Sequence, residues 1–138
     1  MTKYGTVTCY NEEKTKDAKR MIPTDGPVKV DYEDGHLVIG LSGEIDHHSA
    51  RPLREKIDRQ LYLYHPSECT LSLRGVDFMD SAGLGLILGR LAVCRQFSCP
   101  MRLSGADNRM LRIFRMAGLS RMEGLTVDGL ERGEKVKR

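Results

Sequence analysis

The chain has 138 residues, 40% of them hydrophobic and 30% charged, with a formal net charge of +3, which suits one domain around one core. The basic residues are spread along the chain, which argues against nucleic acid as the partner, because phosphate recognition needs a clustered basic face. No apolar run approaches the roughly 20 residues of a membrane helix and the polar, charged N-terminus has no signal-peptide apolar region, so a cytoplasmic protein without membrane contact is expected.

Residues 11–20 are highly charged and nearly free of apolar side chains, and Pro23, Gly26 and Pro27 punctuate the boundary with the next segment. Such composition buries too little surface to offset its ordering entropy. Residues 1–27 are therefore expected to form a flexible extension, the alternative being a short edge strand over residues 6–10. The folded domain is expected over 28–130, followed by a polar tail over 131–138.

Asp34-Gly35 is a turn signal between two strand-like runs, 28–33 and 36–42, and predicts a hairpin. In the second run Leu37, Ile39 and Leu41 alternate with His36, Val38 and Gly40, as expected for a strand with one side packed on helices. Residues 43–46 leave that strand. Ala50, Leu53, Ile57, Leu61 and Tyr64 then recur at helical spacing and predict a helix from 48 or 49 to 64, with Pro52 in its first turns. Arg51, Arg54, Glu55, Asp58 and Arg59 are assigned to its outer face. His65-Pro66 ends it.

Residues 69–73 alternate as a strand and lead through a loop to Asp80-Ser81. A helix is predicted from there to about residue 97. Its buried stripe is read as Leu84, Ile87, Leu88 and Leu91, which leaves Gly85, Leu86, Gly89 and Arg90 on the outer face. Ser81 is read as the helix cap, exposed beside the positive end of the helix dipole. Gly83 and Gly85 each cost about 1 kcal/mol against Ala inside a helix. With Gly89 they suggest close backbone approach, by a strand or by a partner. Pro100 bars continuation, and residues 101–104 read as a short strand. Asp107 caps a third helix with Met110, Leu111, Phe114 and Ala117 facing inward, and Gly118 stops it. Residues 119–127 close the domain as a late strand or irregular segment. Strands alternating with helices indicate an α/β layer fold with a mixed sheet.

Four cysteines, Cys9, Cys69, Cys94 and Cys99, form no C-x-x-C pair, and Cys69 and Cys94 read as buried thiols. His47 and His48 are adjacent on a turn, point in different directions and lack a third ligand. No metal and no cofactor are expected. The G-x-S-x-G elbow fails around Ser81, since Met79 stands where the first glycine belongs. Gly83, Gly85 and Gly89 form a pattern one residue longer than the dinucleotide fingerprint, and there is no Walker lysine. A catalytic role is not expected.

Residues 78–90, FMDSAGLGLILGR, and residues 43–50, GEIDHHSA, resemble the two signature blocks of bacterial anti-sigma factor antagonists of the STAS-domain family, most of all its sporulation-type members. The resemblance covers roughly residues 28 to 128. It implies a small mixed sheet with helices packed mainly on one side. It also implies that Ser81 is phosphorylated by an ATP-dependent serine kinase that is itself the anti-sigma factor, with a phosphatase reversing the mark. The unphosphorylated form would bind that kinase and free a sigma factor. Asp46 and Asp80 fall on the family's two functionally important aspartates. The partner surface is expected to include Asp46, Asp80, Ser81, Gly83, Gly85 and Leu86, with Asp46 contributing little to stability and the chain monomeric on its own. Ala82 departs from the family, which often has a second Ser or Thr there, so a loop hydrogen bond is in doubt. The alternative class is a STAS interaction module of a stressosome-like or lipid-transport complex.

Overall fold

Asp34 and Gly35 have positive φ values of 49° and 84° in the computed structural model, which describes residues 22–23 and 28–130. Two positive φ values in a row make the tight turn that matches strand twist. The turn joins β2 (Val28–Glu33) to β3 (His36–Ile45), paired antiparallel with Glu33 opposite His36. Ile22–Pro23 forms a two-residue β1 on the free edge of β2. The edge strand considered for residues 6–10 lies outside the described residues, as do the flexible extension up to residue 21 and the tail over 131–138.

Beyond β3 come α1 (His47–Tyr64), β4 (Glu68–Met79), α2 (Ser81–Gln96), β5 (Met101–Ser104), α3 (Asn108–Met116), a 3-10 turn (Leu119–Arg121) and β6 (Leu125–Val127). The strands form one mixed sheet in sequential order, β1 to β6. The pairs β3/β4, β4/β5 and β5/β6 are parallel. Leu37, Ile39, Leu41, Cys69, Leu71, Leu73, Met101 and Leu103 point to one sheet face. There they meet Leu53, Ile57 and Leu61 of α1, Ile87 and Leu91 of α2, and Phe114 of α3 in a single core. The opposite face is polar, with His36 Nε2 2.8 Å from Thr70 Oγ1 and an Arg102–Asp128 ion pair at 2.6 Å. The expected single domain with helices mainly on one side is what the chain forms.

Two expectations are corrected. First, β4 is not confined to 69–73 and no loop follows it; it runs to Met79, beside Asp80. The extension pairs with β3 through register shifts at Gly40/Ser42 and Gly43/Glu44, which bring Gly75 opposite Ser42 and Met79 opposite Ile45. A Cβ at Gly75 would stand 2.9 Å from Ser42 Cβ and 3.1 Å from the Leu41 carbonyl, so glycine is what lets the strands close there. The same glycine and the bulges disguise the strand in a period-two reading.

Second, α2 is rotated about its axis by roughly one residue from its expected setting. It buries Gly83, Leu86, Ile87, Arg90, Leu91 and Cys94, while Leu84 and Leu88 are only half-buried. Arg90, expected outside, lies between α1 and α2 with its Nε 2.9 Å from Asp58 Oδ1. Asp58 therefore also leaves the outer face assigned to it. The contact is an ion pair without the alignment of a hydrogen bond. Charge neutralisation by a residue on another helix is what allows an arginine into this layer.

Candidate functional site: two adjoining helix starts

The parallel pairing of β3 and β4 ends with Ile45 opposite Met79. The next residue on each strand, Asp46 and Asp80, is an extended N-cap, and α1 and α2 begin immediately after. Asp80 N–H donates to the Ile45 carbonyl at 3.3 Å, tying the two starts together. They stand at the carboxyl end of the parallel strands, where open α/β sheets place their functional loops.

Asp46 Oδ1 accepts hydrogen bonds from His48 N and Ser49 N, each at 3.0 Å. Ser49 Oγ in turn accepts the Asp46 N–H at 3.0 Å and donates to the Glu44 carbonyl at 2.9 Å. This is a reciprocal capping box. The Ser49 backbone donor, aided by His48, holds the Asp46 carboxyl below its ordinary value of 3.8. The expectation that Asp46 matters little to stability neglects this box, although Asp46 and Ser49 at cap spacing signal it.

Asp80 Oδ1 accepts the Ala82 N–H at 2.8 Å. Asp80, not Ser81, is thus the cap, and Ser81 is the first helical residue. Because the bond uses the Ala82 backbone, alanine at that position leaves the cap intact. Ser81 is exposed, and its hydroxyl forms no hydrogen bond among the described residues. It sits where the free N–H groups of the first turn concentrate positive potential. Asp80 beside it is exposed, as are Glu44 and Asp77 near the ends of β3 and β4, and Phe78, 43% exposed, adds an apolar side chain next to Asp77. The His47 and His48 rings lie against each other on the first turn of α1, centroids 4.2 Å apart and tilted by 34°, rather than pointing apart.

The expected partner surface is brought together only in part. Asp46, Asp80, Ser81 and Gly85 cluster at this end. Gly83 does not belong to the surface: it is buried, and a Cβ there would overlap Met79 Cγ and lie 3.1 Å from Ile45 Cγ2. Leu86 is also withdrawn, being 5% exposed inside the core. A Cβ at Gly85 or Gly89, by contrast, would meet nothing within 4 Å among the described residues. The outward strip of α2 is Ser81, Gly85, Gly89 and Ala92, flanked by half-buried Leu84 and Leu88.

Residues 28–127 match the family described as Mlab, STAS domain, and the chain belongs to that family. It is 34% identical over 92 residues to the anti-sigma F factor antagonist of Paenibacillus polymyxa, covering 67% of this chain and 79% of that protein. It is 29% identical over 92 residues to the anti-sigma-B factor antagonist of Bacillus subtilis, covering 67% and 83%. The solved structure of the Bacillus cell fate determinant SpoIIAA in its phosphorylated form is similar with a TM-score of 0.57 and 25% identity, over 80% of this chain and 99% of that one.

Proposed function

We propose that this protein is an anti-sigma factor antagonist whose binding is switched by phosphorylation of Ser81. In this reading the unphosphorylated chain engages an anti-sigma factor that is also an ATP-dependent serine kinase, and a sigma factor is released. Phosphate on Ser81 ends the engagement, and a phosphatase restores it. The observation that carries the proposal is an exposed serine, its hydroxyl without a hydrogen bond among the described residues, on the first turn of α2 next to the Asp80 cap. The names of the similar relatives supply the partner class.

The physics favours a switch of binding over a switch of fold. A phosphate at a helix start is tolerated by the helix dipole, worth about 0.3–1 kcal/mol. Across an interface already lined by Glu44, Asp46, Asp77 and Asp80, an added charge of roughly −1.5 to −2 repels any acidic partner surface. Like charges pressed together there cost several kcal/mol. Gly85 and Gly89 keep the α2 strip flat, so a partner reaches close to the backbone beside Ser81.

Capture by the immobilised unphosphorylated chain tests the reading. An ATP-binding serine kinase retained by this chain and lost on its phosphorylation is the expected result. Retention of lipid-transport subunits instead, with no kinase, would overturn it in favour of a STAS module of another assembly.

A further inference from the structure

The backbone at the C-terminal end of α2 places two cysteines at the two positions whose side chains a helix ending brings together. Ser98 has a positive φ of 56°, its N–H donates to the Arg95 carbonyl at 3.1 Å, and Cys99 N–H donates to the Cys94 carbonyl at 2.9 Å. These are the two bonds of a Schellman closure, the helix ending in which the side chains of the third-last helical residue and the second residue past the cap pack together. Ordinarily that contact is hydrophobic. Here both positions are cysteine. A third thiol arrives from β4, where Cys69 N–H donates to the Pro100 carbonyl at 3.0 Å and Cys69 pairs with Met101. All three are free and buried.

We infer that Cys94 and Cys99 form a redox modification site, a dithiol that hydrogen peroxide converts to a disulfide closing the end of α2. This goes beyond the phosphorylation reading and does not depend on it. Cys94 is the attacking sulfur. The neighbouring Cys69 thiol, with Cys99 and the Arg90 guanidinium, favours the Cys94 thiolate against the burial that opposes it, so its pKa is lowered; the Cys99 thiol also reaches the Pro100 carbonyl at 3.6 Å. Burial and the neighbouring Cys94 push Cys99 up to about 12, which keeps its proton in place. The thiolate is the reactive form.

In the first step Cys94 Sγ attacks one peroxide oxygen, the O–O bond breaks, and the departing hydroxide takes a proton to leave as water. Cys94 is then a sulfenic acid. In the second step Cys99 Sγ attacks Cys94 Sγ, the S–O bond breaks, and the Cys99 proton leaves with hydroxide as the second water. Two thiols are oxidised to one disulfide while one peroxide is reduced to two waters. Cys99 is the resolving partner because it lies on the connection after α2, whereas Cys69 is held in β4 between two parallel neighbours. The thiols are one residue beneath exposed Arg95, Gln96, Ser98 and Pro100, so opening of a single terminal helical turn admits an oxidant little larger than water.

The test treats the folded full-length chain with hydrogen peroxide, blocks remaining thiols, and maps tryptic peptides without reduction. Cleavage after Arg90, Arg95 and Arg102 separates the two cysteines into peptides 91–95 and 96–102, while Cys69 lies in peptide 60–74. The expected result is 91–95 linked to 96–102 in most chains, released by dithiothreitol, and absent from Cys99→Ser. Linkage of 60–74 in its place, equal linkage in urea-unfolded chain, or complete blocking of Cys94 and Cys99 after peroxide would overturn the assignment. The wild-type map decides even where the Cys99→Ser variant folds poorly.

Discussion

Asp80 gives its backbone N–H to the Ile45 carbonyl across 3.3 Å, so the caps of α1 and α2 are joined to one another as well as to their own helices. A change at either cap is therefore felt at Ser81, the first residue of α2. The proposed switch sits beside backbone held by these cap hydrogen bonds, which suits a device that alters binding by charge.

Asp46 carries the first prediction. Its folded pKa is lowered chiefly by the Ser49 backbone donor, so its contribution to stability is present above the unfolded carboxylate pKa and is lost as pH falls through the folded one. Asp46→Ala is expected to lower the melting temperature at neutral pH, and Asp46→Asn, which retains a capping acceptor, to lower it less. The gap between wild type and Asp46→Ala should narrow as the pH drops below 3.8. A gap that is independent of pH would show that the carboxylate charge plays no part in the cap.

Gly85 and Gly89 weaken α2, yet among the described residues a Cβ at either would meet open space. Gly85→Ala and Gly89→Ala are each expected to stabilise the domain by about 0.5–1 kcal/mol in urea unfolding. The same changes should weaken partner binding if this strip is the docking face. Unchanged affinity in the double variant would remove the strip from the interface.

Leu86 and Leu88 separate core from surface on the same helix. Leu86 is buried in the core cluster and Leu88 only packs against it. Leu86→Ala is expected to cost about 2–5 kcal/mol, and Leu86→Asp more, because it buries an unpaired charge. Leu88→Asp should cost clearly less. Equal losses in denaturant melts would contradict the rotated setting of α2.

Asp58 and Arg90 offer a cycle with an unusual expectation. Burial is the largest influence on both, raising the Asp58 pKa and lowering that of Arg90 against their mutual attraction. Desolvation thus outweighs the pairing. Asp58→Leu alone strands the arginine and is expected to cost about 2–4 kcal/mol, somewhat less than a fully buried pair because Asp58 is 26% exposed. Asp58→Leu with Arg90→Met should recover most of that loss. A double variant as unstable as the sum of the two singles would show that the two charges are not coupled.

Features written in local chemistry were legible in the amino-acid sequence. The Asp34-Gly35 turn, the Asp107 cap with its 2.8 Å bond from Met110 N, and the Gly118 stop at φ 83° all depend on neighbours within a few residues. The two aspartates and Ser81 enter as candidates only through the resemblance of residues 43–50 and 78–90 to the family's signature blocks. What stayed hidden was set by partners distant in the chain. The extension of β4 exists because β3 pairs with it across two bulges, and Arg90 is buried because Asp58 waits on another helix. Placing the cap on Ser81 was an error of one residue: Asp80 is the better acceptor for the Ala82 N–H, and that frees the serine hydroxyl.

Site-resolved phosphorylation by the partner kinase and ATP tests the central claim most directly. Tryptic cleavage isolates Ser81 in peptide 75–90. The predicted result is one phosphate on Ser81 in that peptide, loss of kinase binding by the phosphorylated chain, and a Ser81→Ala variant that folds normally, takes up no phosphate and stays bound. Phosphate incorporated at another residue of Ser81→Ala, or equal kinase affinity of the phosphorylated and unphosphorylated chains, would contradict it.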